Sequence, residues 1–147
     1  MQNMADTATD TITISAPLEK VWQIALDIER YPVWAHDVKE VIVAERDEGG
    51  RPSTVEFRTS ALGRSTHYTL AYQYDQAPRV FAWTMVKGDI QRSIEGAFTF
   101  RSDGNGGTEV QYDLEIELVV PLPGFVKRRA ERRILNAIRE MKAFAEA

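Results

Sequence analysis

Between residues 38 and 119 the hydrophobic positions recur every second residue, and on either side of that stretch they recur every three or four. The change of period divides the chain into strands in the middle and helices towards both ends. Residues 10–14 alternate and read as a short first strand. Ser15-Ala16-Pro17 then has the composition of a helix start, with Ser15 as the expected cap and Pro17 near the first helical position. Leu18, Val21, Trp22, Ala25 and Ile28 follow at helical spacing, and Pro32 is expected to stop the segment because it cannot donate to a helix ladder. Six further strands are predicted, over residues 38–46, 54–60, 66–74, 80–86, 91–100 and 108–119. Turns are expected at 47–50, 62–64 and 103–107, the last being a glycine-rich hairpin turn.

Two strands show their faces clearly. Tyr68, Leu70, Tyr72 and Tyr74 share one side of their strand, opposite His67, Thr69, Ala71 and Gln73. In the last strand Val110, Tyr112, Leu114, Ile116 and Leu118 oppose Glu109, Gln111, Asp113, Glu115 and Glu117, the pattern of an antiparallel sheet covered on one side only. Pro121-Leu122-Pro123-Gly124 breaks the sheet. From Phe125 onward Val126, Ala130, Ile134, Ala137, Ile138, Met141 and Ala145 form one apolar stripe, on a helix of about 20 residues and roughly 30 Å. A one-sided sheet and a long amphipathic helix each need a partner, and each can serve the other. The expected architecture is therefore α+β: a curved antiparallel sheet of six to seven strands wrapped around the C-terminal helix, with short helices after the first strand. The 147 residues are expected to form a single domain, with 1–9 flexible. Met4 can serve as the native start, which would make Met1 to Asn3 an extension.

Composition narrows the function classes. The absence of cysteine removes disulfides, thiolate catalysis, iron–sulfur clusters and cysteine-based zinc sites. No apolar run is long enough to span a bilayer and no basic-then-apolar leader is present, so a cytoplasmic location is expected. The net charge of −4 is unevenly spread: residues 125–147 carry +4 and residues 1–124 carry −8. An acidic body argues against nucleic acid as the partner.

The order strand, helical segment, six antiparallel strands, long helix resembles the helix-grip fold of the START-like (SRPBCC) superfamily. Several local patterns carry the resemblance: the opening from Ser15 to Trp34, SAPLEKVWQIALDIERYPVW; Tyr72-Gln73-Tyr74-Asp75; Gly107-Thr108-Glu109-Val110; and the closing Leu122-Pro123-Gly124 before a basic-apolar helix. Within the superfamily the chain is most similar to the polyketide cyclase/dehydrase-like and coenzyme Q-binding groups. The resemblance implies a cavity between sheet and helix that takes a lipid, quinone, sterol or polyketide-like molecule. It does not fix a reaction, because this fold hosts carriers, sensors and enzymes.

The residues themselves support a binding site better than a catalytic one. Trp34, Phe57, Tyr68, Tyr72, Tyr74, Trp83, Met85 and Phe98 on the expected inner faces, with Ile134, Ile138 and Met141 on the helix, are the expected ligand-binding set. Any single ring among them reads better as core packing, and only the set together reads as a cavity lining. Phe81, Phe100 and Tyr112 belong to the same aromatic population. His36 and His67 are too far apart in sequence for a recognisable metal motif, and no metal or other cofactor is expected. His67 is expected on the outer face, and His36 in a loop that could border the cavity mouth. No nucleophile elbow or phosphate loop is present. Polar groups for enol or water chemistry would be Tyr72, Tyr74, Arg58 and Ser93, of which Arg58 and Ser93 have outward parity.

Lys127, Arg128, Arg129, Arg132 and Arg133 crowd the first turns of the helix, where positive charge opposes the helix dipole. They read as a solvated face partly paired with the acidic side of 109–117. Alternatively, Arg128, Arg129 and Arg132 make a peripheral contact with anionic lipid or an acidic acyl-carrier protein. The expected activity is noncatalytic binding of an apolar small molecule, as carrier or sensor, in a monomer or homodimer. The alternatives are a polyketide aromatase/cyclase or dehydratase, and a protein-partner module without a small ligand.

Overall fold

A computed structural model describes residues 6–61, 63–120 and 122–147. The expectations that fall on residues 1–5, Leu62 and Pro121 lie outside the described residues. The elements run β1 (Asp6–Ile14), α1 (Leu18–Leu26), a 3-10 turn (Ile28–Arg30), α2 (Tyr31–Trp34), β2 (Val38–Arg46), β3 (Pro52–Ala61), β4 (Arg64–Gln73), β5 (Val80–Gly88), β6 (Gln91–Ser102), β7 (Thr108–Leu118) and α3 (Gly124–Glu146). The strands form one antiparallel sheet in the order β1-β7-β6-β5-β4-β3-β2. It is a meander from β2 to β7, and β1 returns to pair with β7. Asp6 to Thr9, expected to be flexible, are part of β1 and face Ile116 to Asp113 of β7.

The turns form where the sequence places short polar and glycine residues. Asp47 accepts hydrogen bonds from the amides of Gly49 and Arg51, and Gly50 takes a φ of 83°. Asp103 does the same for Asn105 and Gly107. Bulges interrupt the pairing between Val38 and Glu40, Val43 and Arg46, Thr69 and Leu70, and Gln91 and Ser93. An extra residue in one strand bends it and increases its twist, which lets the sheet curl around a helix.

The start of α1 differs from the expected one. Pro17, not Ser15, is the N-cap, at φ −65° and ψ 153°, with no side-chain cap. Ser15 is engaged elsewhere: its amide donates to the Glu146 carboxylate at the far end of α3, at 2.7 Å. Pro32 does not end this segment either. The α1 helix closes at Leu26, and Pro32 lies in the first turn of α2, where its missing N–H costs nothing. Val21, Trp22, Ala25 and Ile28 are buried as the spacing predicts. Trp22 meets Phe81 and Phe100 edge-on, both at 5.8 Å, so α1 plugs one end of the curled sheet.

The two halves of α3 are held very differently. Ile138, Met141 and Ala145 are sealed in the core, at 0%, 0% and 1% exposure. Around them, Lys20 donates to the Ala145 carbonyl and Lys142 to the Thr13 carbonyl, both at 2.8 Å, so the C-terminal turns are tied to α1 and β1. Before Ile138 no described residue of the helix is fully buried; Val126, Ala130, Ile134 and Ala137 are only half-buried. The apolar stripe is continuous in sequence, but only its second half is clamped.

Ile138→Ala should therefore cost about 2–5 kcal/mol by urea unfolding, and Ile134→Ala less than half of the Ile138 value. Equal losses would mean that the helix is clamped along its whole stripe.

Candidate functional site

The half-clamped helix leaves a cavity beneath its middle turns, from Arg133 to Glu140. The volume is about 190 Å³, and the lining comes from nearly every element. Tyr31, Trp34 and Ala35 contribute from the helical segment after β1. Phe57, Thr59 and Ser60 come from β3, and Thr66, Tyr68, Leu70 and Tyr72 from β4. Trp83 lies on β5, Gln91, Ile94 and Phe98 on β6, and Tyr112, Leu114 and Ile116 on β7. Ile134 and Ala137 form the roof, while Asp37, Arg133 and Glu140 stand at the mouth.

Of the expected ligand-binding set, Trp34, Phe57, Tyr68, Tyr72, Trp83, Phe98 and Ile134 line this cavity. Four do not. Tyr74 follows the last residue of β4; its hydroxyl donates to the Pro52 carbonyl and the Arg51 guanidinium lies 4.4 Å above its ring. Met85 keeps the parity of Trp83 and pairs with Leu70, but its sulfur packs by Gly88 at the end of β5 and it does not line the cavity. Ile138 and Met141 are enclosed in the clamped half of α3.

Other lining residues went unread. Tyr31 sits where α1 gives way to the 3-10 turn and α2, so helical spacing does not point to it. Its hydroxyl donates to the Ala25 carbonyl at 2.5 Å. Thr59 shares the parity of Phe57, and Thr66 that of Tyr68; that parity was the available signal. Gln91 is reached through the bulge between Gln91 and Ser93, which reverses its parity relative to Ile94 and Phe98.

The aromatic side chains form a connected wall. Phe57 stacks on Tyr68 at 5.4 Å and Tyr72 on Phe81 at 4.9 Å, while Phe98 and Tyr112 lie 4.8 Å apart. Within this wall the hydroxyls of Tyr72 and Tyr112 make no hydrogen bond to a described residue, although both residues are only 8% exposed. Burial holds every cavity tyrosine protonated. The Tyr68 hydroxyl is pushed up to about 12, partly offset by its hydrogen bond with Thr59. Burial raises Tyr31, Tyr72 and Tyr112 further, and neighbouring phenols add to the shift. These groups are neutral donors at physiological pH, not bases.

A small polar cluster closes the far wall. Thr66 donates its hydroxyl proton to Asp89, which also accepts from the amides of His67 and Ile90. Having spent its proton, Thr66 Oγ1 accepts from Gln91 Nε2 at 3.0 Å, which leaves Gln91 Oε1 as a buried acceptor without a partner among the described residues. His67 stays outside, 64% exposed, with Nδ1 3.8 Å from Asp89.

The charged groups at the mouth are already engaged. Arg133 forks onto Asp37 through two bonds of 2.8 Å, and Glu140 lies 2.7 Å from His36 Nδ1. His36 itself is exposed and borders a surface groove that shares Asp37, Arg133 and Glu140 with the cavity mouth and adds Arg129, Arg132 and Arg139. Arg58 faces outward to Glu40 at 3.6 Å, and neither it nor Ser93 lines the cavity. Among the described residues no group of three or more histidines and carboxylates could hold a metal ion, and no helix is long and apolar enough to cross a membrane.

Solved structures share this fold. A START superfamily protein from Mycobacterium smegmatis superposes with a TM-score of 0.88 at 25% identity, over 95% of this chain and 97% of that one. The Zhui aromatase/cyclase from Streptomyces sp. R1128 gives 0.84 at 16% identity, over 97% and 94%. A Thermus thermophilus protein, TTHA0849, gives 0.79 at 20% identity, over 96% and 94%. The last two likenesses are of fold alone. Comparison with the curated proteins returned no match. The sequence profile of the family described as "Polyketide cyclase / dehydrase and lipid transport" matches residues 5–146, and with the helix-grip architecture and its lined cavity this places the chain in that family, within the START-like superfamily.

Proposed function

We propose that this chain binds an apolar small molecule between its sheet and the middle turns of α3, as a carrier or sensor. One observation carries the reading: a cavity walled by rings and aliphatic side chains also contains two phenol hydroxyls, of Tyr72 and Tyr112, without a protein partner among the described residues. Both hydroxyls are free to donate into the cavity, so the site favours an apolar body carrying an oxygen that accepts from one of them. The volume of about 190 Å³ is below the ~300–1,000 Å³ of drug-sized sites. The ligand is therefore small, or the unclamped half of α3 rises to admit it.

Cyclisation or dehydration of a polyketide-like chain draws on the same cavity. Neutral phenols would hold a carbonyl or enol oxygen there. What disfavours this reading is the lack of a free base. The cavity's carboxylates are Asp37 and Glu140, both at the mouth, the first tied to Arg133 and the second beside His36.

The basic turns of α3 support a further part of the proposal. Phe125, Arg128, Arg129 and Arg132 fall at i, i+3, i+4 and i+7, and all four are exposed, Phe125 at 63%. The three arginines have no ion-pair partner among the described residues. The acidic side of 109–117 does not serve them: Glu109 is paired with Arg101 and Glu117 with Arg92. Exposed Val119 and Val120 precede the helix. A protruding ring among unpaired arginines beside an apolar cavity fits an anionic membrane surface, where each basic residue contributes about 1 kcal/mol.

Three outcomes are expected. Native mass spectrometry with organic extraction should find an apolar adduct near one-to-one, and Tyr72→Phe/Tyr112→Phe should weaken its retention by about tenfold. An apo wild type with no affinity for quinones, sterols or fatty acids would end the binding proposal. Reversing Arg128, Arg129 and Arg132 to Glu should abolish sedimentation with phosphatidylglycerol vesicles while leaving extraction unchanged; transfer of that loss to an acyl-carrier protein instead would redirect the surface to a protein partner. The five tyrosines should show almost no tyrosinate absorbance while the protein stays folded near the ordinary phenol value of 10.0. The folded pKa values are raised, so the unfolded chain loses protons first. Stability should fall as pH rises above about 10, with tyrosinate appearing together with unfolding.

A further inference from the structure

The inward row of β6 is Ile94, Gly96, Phe98 and Phe100, three large side chains and one glycine. Gly96 faces Trp83 of β5 directly in the sheet register and Leu114 of β7 on its other side. A Cβ built on Gly96 would lie 2.5 Å from Cζ2 of Trp83 and 2.6 Å from both Cε2 and Nε1. Carbon atoms do not approach so closely, so the indole lies flat across the glycine and occupies the place of its side chain. The obstructing atoms belong to a rigid bicycle, and that ring is hemmed in by Phe98 at 5.2 Å, Tyr112 at 5.9 Å, Tyr72 at 6.1 Å and Phe81 at 6.2 Å. It has one open direction, away from the sheet and into the cavity it lines.

We propose that Gly96 determines which ligands this protein accepts, by letting the Trp83 indole lie against the sheet and so setting the depth of the cavity. Any side chain at position 96 stands the indole up into a space of about 190 Å³ and selects against larger ring systems. Gly96 acts through Trp83, so it is a specificity-determining position that touches no ligand. The inference rests on the binding function proposed above for the same cavity, and its geometric part can be tested without that function.

The test is a double-mutant cycle of Gly96→Ala and Trp83→Phe, because phenylalanine lacks the ring atoms that overlie Gly96. Two probes are titrated into each protein, indole as the small one and N-phenyl-1-naphthylamine as the large one. Gly96→Ala should weaken the large probe by about tenfold or more and the small probe by less than about threefold. In the Trp83→Phe background the same substitution should change neither. The Trp83 indole N–H resonance should shift in Gly96→Ala, while those of Trp22 and Trp34 stay in place. Unchanged probe binding with an unmoved Trp83 resonance would overturn the proposal. A loss that persists in the Trp83→Phe background would also do so, since Gly96 would then be acting through the backbone. If the wild type binds neither probe, the binding function fails, and the Trp83 resonance still decides whether Gly96 seats the indole. Should Gly96→Ala not fold, the double variant melting with Trp83→Phe sustains the proposal, and a double variant that also fails to fold refutes it.

Discussion

Three side chains decide how the long helix sits. Ile138, Met141 and Ala145 are enclosed by the sheet and α1, and the turns around them are tied down by Lys20 on the Ala145 carbonyl, Lys142 on the Thr13 carbonyl and the Ser15 amide on the Glu146 carboxylate. Once those turns are fixed, a straight helix must project its other half over the remaining mouth of the curled sheet. There the roof consists of Ile134 and Ala137, small or half-buried groups that do not reach the opposite wall. The cavity is thus the geometric remainder of a good contact made elsewhere. Its dimensions follow from where the clamp ends and where the sheet bends.

Electrostatics reinforces the asymmetry. Arginines near the start of α3 oppose its dipole, and no acidic residue stands in its first turn. The C-terminal end is pinned, and the middle is anchored by the Arg133 fork on Asp37. Fewer contacts hold the remaining N-terminal turns, which makes them the part of the helix that yields at least cost.

Much of this was legible in the residues. Alternation located all seven strands to within a few positions, because a half-buried antiparallel strand must alternate. The aromatic wall followed from the same parity, which correctly turned Phe57, Tyr68, Tyr72, Trp83 and Phe98 inward. Parity fails at a bulge, which is why Gln91 went unread, whereas Met85 keeps the parity of Trp83 and sits too far along β5, by Gly88, to line the cavity. Tyr31 was hidden differently, in a helical segment that changes type twice within nine residues after α1 ends. The helix stripe was right in composition and silent about depth. Hydrophobic spacing tells which side of a helix faces inward, but not whether the far wall is near enough to touch. For that reason Ile138 and Met141 were expected at the cavity and are found in the clamp.

The strand order has a consequence for how the chain assembles during synthesis. Strands β3 to β7 each pair with the strand that precedes them, so the meander can zip up as it emerges from the ribosome. The first strand made, β1, has no partner until residues 108–118 have been translated, and the helix that fills the concave face is made last of all. For most of translation the nascent sheet therefore carries an uncovered aromatic surface and a stranded first segment, the kind of exposed intermediate on which chaperones act. A fold that keeps a greasy hollow for its ligand has to protect that same hollow before its lid exists.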